Sequence, residues 1–104
     1  MRQQIATQTG TGSTNAIVMD TYISPFNVGF GVVVADTVDY TVEHTFDNVL
    51  TNTSPTWFSH PTIDGLAVNA DGNYAFPVAG IRLTVNSGGG TATLTVIQAG
   101  LVGA

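Results

Sequence analysis

The sequence is 104 residues long and carries a formal net charge of −5, from seven acidic residues against only Arg2 and Arg82. It has no Cys, which excludes a disulfide framework, a thiolate metal site and a cysteine nucleophile. The acidity excludes a phosphate-binding surface for nucleic acid, and no apolar run approaches the roughly 20 residues needed to span a bilayer.

A chain of this size forms one domain with one modest core. Sixteen Thr stand against nine charged residues. Thr favours strands, whereas charge is what keeps a free monomer soluble. A surface so poor in charge is expected to be covered by neighbouring protein.

Residues 1–15 read as a polar, extended N-terminal arm, set apart from a β-domain over 16–104. Arg2, Gln3, Gln4, Ile5 and Gln8 offer hydrogen bonds and little to bury. Order in such an arm requires a rigid template. The expected template is the sheet edge of another chain, which makes these five residues interface candidates and the protein a multimer, with a trimer as one form. The segment also lacks the apolar core of a signal peptide, so the expectation is a chain made inside a cell.

Ala16-Ile17-Val18-Met19 is a short apolar strand, and Tyr22 to Phe26 continues extended because Pro25 pushes its predecessor out of the α region. Val32-Val33-Val34 and the alternating run Val38 to Phe46 read as a hairpin in which Val34 faces Val38, Val32 faces Tyr40 and Phe30 faces Val42. Asp47 to Pro77 is less regular. Pro55, Pro61, Pro77, Asp64-Gly65 and Asp71-Gly72 mark turns around short strands at 56–58, 65–68 and 73–76.

Ile81 to Asn86 and Thr91 to Gln98 alternate strictly about Ser87-Gly88-Gly89-Gly90. Pairing Asn86 with Thr91 sets Leu83 opposite Leu94 and Ile81 opposite Val96, while Thr84 meets Thr93 on the other face. This hairpin cannot stand alone and must press its apolar face on another sheet. Thr84 and Thr93 become further interface candidates. Without helical periodicity anywhere, the fold class is all-β, a single-domain antiparallel β-sandwich of jelly-roll or Ig-like type.

Residues able to carry chemistry are few. His44 lies on the apolar face of its strand, as a histidine bonded to backbone in a core or interface. Ser59 and His60 are adjacent on an extended segment and point opposite ways, so they form no nucleophile–base pair. Asp64, Asn69, Asp71 and Asn73 do not follow a readable Ca²⁺ loop and read as two Asx-Gly turns. The glycine run lacks the strand–loop–helix context of a phosphate loop. The expectation is therefore no catalytic residue, no metal, no cofactor and no enzyme. Trp57 and Phe58 are ambiguous between core, protein contact and the stacking of a sugar ring.

Tyr22 to Phe30, Tyr40 to Asp47, Thr56 to Pro61 and Asp71 to Pro77, closing on Ile81-Arg82-Leu83 and Leu94 to Gly100, resemble small structural proteins of tailed bacteriophages. The resemblance covers Tyr22 to Gly100 and implies a virion component. Its expected place is on the outside of the head, as a decoration or cement protein bridging major capsid subunits, made in the host cytoplasm. Its partners would be the major capsid protein, other virion proteins and further copies of itself, with no nucleic acid and no membrane. The alternatives are a tail or head–tail joining protein, or a module that binds a host-surface glycan through Trp57, Phe58 and Tyr74.

Overall fold

The computed structural model describes residues 3–21 and 26–99. Arg2, the segment Tyr22 to Pro25 and the small-residue tail from Gly100 lie outside the described residues. Nine strands occur among the described residues: β1 (Gln4–Thr9), β2 (Gly12–Ser13), β3 (Ile17–Val18), β4 (Asn27–Ala35), β5 (Asp39–Thr45), β6 (Phe58–Leu66), β7 (Ala70–Tyr74), β8 (Gly80–Ser87) and β9 (Thr91–Ala99).

They form two antiparallel sheets packed face to face. The first has the order β1-β9-β4-β7; in the second, β8 carries both β2 and β3 on one side and is followed by β5 and β6. Apart from β5 and β6, which pair as neighbours, consecutive long strands alternate between sheets, which is the double Greek key of a jelly roll and not the Ig arrangement. The core between the sheets holds Val28, Val32, Leu94 and Val96 from one side. Tyr40, Val42, Ile81, Leu83 and Val85 come from the other, and each is at most 1% exposed.

This order overturns both expected hairpins. Leu83 pairs with Val42 and Leu94 with Val32, because β8 lies in one sheet and β9 in the other. Likewise β4 pairs with β9 and β7, while β5 pairs with β8 and β6. Each supposed hairpin is an arch that crosses from sheet to sheet. The two arches lie alongside one another, with Ala35 opposite Thr91 and Asp39 opposite Ser87. The expected apolar faces do share one core, but they meet across it.

The glycine run serves this close passage. A Cβ on Gly88 would fall on the Thr37 carbonyl oxygen, and one on Gly90 on that of Ala35. The Gly90 amide donates to the Thr37 carbonyl at 3.0 Å. Asp36 takes the left-handed φ of 64° in the facing arch, a conformation that Asp tolerates better than most residues.

The arm is extended as expected, but its template is its own chain. β1 pairs with β9 from Gln4–Val96 to Thr9–Thr91, and β2 pairs with β8 in the other sheet. The arm thus straps the two sheets together along one side. The irregular third also differs from expectation. β6 runs through Pro61, tolerated because β6 is an edge strand whose register with β5 shifts between Thr41–Asp64 and Glu43–Ser59. Asp71-Gly72 is the middle of β7 and no turn. Gly72 sits beneath the Phe30 and His60 rings, where a Cβ would come within 2.9 Å of the Phe30 ring.

Candidate functional site: an aromatic end of the sandwich

Alternation along β5 turns Tyr40, Val42 and His44 inward, and His44 is 5% exposed. Its Nδ1 lies 2.9 Å from the hydroxyl of Tyr74, the last residue of β7. Tyr74 is fully buried, and among the described residues this is its hydroxyl's one hydrogen bond, so donation to Nδ1 is the arrangement that leaves the hydroxyl proton paired. The proton of the neutral imidazole then sits on Nε2. Among the described residues that nitrogen has no protein partner, and no buried side-chain nitrogen or oxygen lacks one. Nε2 is therefore still open to solvent.

Three phenyl rings surround His44 on its outer side. Phe46, Phe58 and Phe76 have their centroids 5.5, 5.9 and 5.7 Å from the imidazole. They are 56%, 48% and 43% exposed. Phe58 stacks on the imidazole, while Phe46 and Phe76 meet it edge-on. Inward, the array continues through Tyr74 to Phe30 and His60, with centroids 5.0–5.6 Å apart. Burial lowers the His44 pKa below its usual value, with a further push from His60 and an opposing pull from Glu43. Burial, then Glu43, raises that of Tyr74. Both groups are held neutral at pH 7. This end of the sandwich presents three half-exposed phenyl rings around a neutral imidazole.

His60 does a different task from that of His44. Its Nδ1 accepts from the amides of Thr62 and Ile63, each at 3.2 Å, so Nε2 carries the proton and donates to the Asn73 carbonyl at 3.1 Å. It ties the irregular part of β6 to β7. The backbone-bonded histidine expected at position 44 is found at 60. Ser59 is exposed while His60 is buried, so the two do point apart.

The remaining candidates scatter. Trp57 is half-buried beneath Arg82, whose guanidinium carbon stands 4.2 Å from the ring centroid and whose Nε donates to Glu43 at 2.8 Å. Thr84 donates to the same carboxylate at 2.5 Å and meets Ser13 at 2.8 Å. Thr93 meets Thr7 on the opposite outer face. Gln8 spends its amide on the carbonyls of Thr9 and Gly10, while Gln3, Gln4 and Ile5 are exposed. Thr84 with Trp57 and Thr93 with Ile5 thus lie on opposite faces of the sandwich. The alternative of a sugar platform loses two of its three rings: Tyr74 is buried and Arg82 covers one face of Trp57. Asp64 accepts from Thr41 and Asn69 from the Val34 amide, and no cluster of metal-ligating side chains occurs among the described residues.

No family model and no curated protein matches the chain. Among solved structures it is similar to a chain of Bacillus endospore appendages, which form a novel family of disulfide-linked pili. The identity is 12%, the TM-score 0.54, and the match covers 96% of this chain and 86% of that one. The likeness is one of fold. This sequence contains no Cys.

Proposed function

We propose that the protein is a structural subunit of a tailed-phage particle, held by its aromatic end on the outside of the head as a decoration protein bridging major capsid subunits. The observation that carries this reading is the cluster of Phe46, Phe58 and Phe76, three half-exposed rings in contact around a buried histidine. Scattered exposed apolar residues need no partner, but a contiguous aromatic cluster is the composition of protein–protein contact centres. The outer face of the first sheet supports it. Ile5, Val33 and Ile97 are each more than half exposed there, and Asp71 is that face's one charge among the described residues.

Purified particles test the assignment directly. The chain is expected in them at many copies, in the head fraction; finding it with tails moves it to a tail or joining position, and its absence overturns the reading. On undecorated heads, Phe46→Ser with Phe76→Ser should lower occupancy at least about tenfold, the factor given by roughly 1.4 kcal/mol of lost contact. Both rings are half in solvent already, so the melting temperature should stay within a few degrees. Full occupancy of the double variant would remove the aromatic end from the interface.

A further inference from the structure

The two sheets have four edges, and three of them carry features that discourage a further strand. β6 contains Pro61 and the register shift; β7 is five residues long with Asp71 and Gly72 in it; β2 and β3 are two residues each. β1 has none of these. It offers six consecutive residues, Gln4–Thr9, with no charge, no proline and no bulge against β9. Beside it runs an open groove of about 780 Å³, with residues 4–8 on one wall and 13–18 on the other. No residue of either wall is charged.

We infer that the free edge of β1 receives β1 of a second copy of this chain, antiparallel about a two-fold axis. The occupant follows from charge and from symmetry. A molecule with a net charge of −5 repels its copies except where its surface is neutral, and this groove is neutral on both walls. A basic or acidic partner would find nothing here to recognise. Along β1, Ile5, Thr7 and Thr9 face outward while Ala6 and Gln8 turn inward. Two antiparallel copies keep that alternation when Ala6 meets Ala6 of the second copy, which brings Ile5 to its Thr7, or when Thr7 meets Thr7. Either register extends the four-stranded sheet into a continuous eight-stranded one across an isologous contact. Backbone pairing supplies the affinity, and in the Thr7–Thr7 register the Thr7–Thr93 row on the outer face continues into the second copy.

The absence of Cys makes the test specific. Single variants Ala6→Cys and Thr7→Cys of the full chain, at low micromolar concentration under mild oxidant, should form a disulfide dimer on a non-reducing gel. At least one should do so about tenfold faster than Asn73→Cys on the opposite edge of the same sheet, reflecting the raised local concentration. The cysteine-free chain should sediment with a dimer component, and Thr7→Lys should shift it to monomer without changing the melt at high dilution. Equal cross-linking rates at β1 and Asn73, or identical sedimentation of parent and Thr7→Lys, overturn the inference. The aromatic end is not involved: Phe46→Ser with Phe76→Ser should leave the β1 cross-link intact. Loss of head binding and loss of pairing are thereby separate results.

Discussion

His44 illustrates how one side chain ties the core to the surface. The Tyr74 hydroxyl donates to Nδ1, so protonating His44 costs that hydrogen bond and places a charge among four aromatic rings. The folded pKa lies below the ordinary 6.5. Between the two values the unfolded chain binds more protons, so stability rises with pH through that window. The His44 contribution is complete above about pH 6.5 and is lost as pH falls through the folded value. The melting temperature should therefore drop on acidification from pH 7, and drop less steeply in His44→Gln, whose amide oxygen still accepts from Tyr74. Parallel pH profiles for the two proteins would show that His44 does not titrate against the fold. The phenyl rings around it were not legible as a group, since Phe46, Phe58 and Phe76 sit at the ends of three different strand segments. Topology alone brings them together.

At the scale of elements, alternation told which residues face the core but not which strands pair. An arch and a hairpin both turn the same residues of two successive strands toward one interior, so Leu83 and Leu94 satisfied the wrong register as well as the right one. The discriminating signal was in the connections. A tight hairpin turn needs one or two residues at positive φ, yet here Gly88 and Gly90 each exclude a Cβ because the other arch passes over them, while Gly89 faces open space. That difference gives a test. Gly88→Ala puts a Cβ on the Thr37 carbonyl at a φ of +94° and should cost at least about 1–3 kcal/mol in strain. Gly89→Ala should be within about 0.5 kcal/mol of the parent. Urea denaturation separates them; equal midpoints would restore the hairpin view. Pro61 misled for a related reason, since proline argues against a central strand and β6 is an edge.

For the molecule as a whole, the arm decides how the sandwich is closed. Composition gave residues 1–15 too little to bury, and a template in another chain followed from that. The template is instead the last strand: β9 accepts β1 along its length, Gly10 donates to the Gly90 carbonyl at 3.0 Å, and Thr14 donates its amide to the Leu83 carbonyl at 2.9 Å. The Leu83 amide returns a bond to the Thr14 hydroxyl at 3.1 Å, and Ala6 packs against the core. The strap therefore crosses both sheets, and removing it would leave the β9 edge bare with Leu94 and Val96 beneath it. Deleting residues 2–12 should lower the melting temperature of the dilute monomer by several degrees, since each lost buried hydrogen bond is worth about 0.5–1.5 kcal/mol and about 1 kcal/mol shifts the melt of a 100-residue domain by roughly 4–8 °C. The exposed β9 edge should also raise aggregation, visible as light scattering on heating. A deletion variant with an unchanged cooperative melt would mean that the arm contributes nothing to its own domain. Its stabilising partner would then be another chain after all.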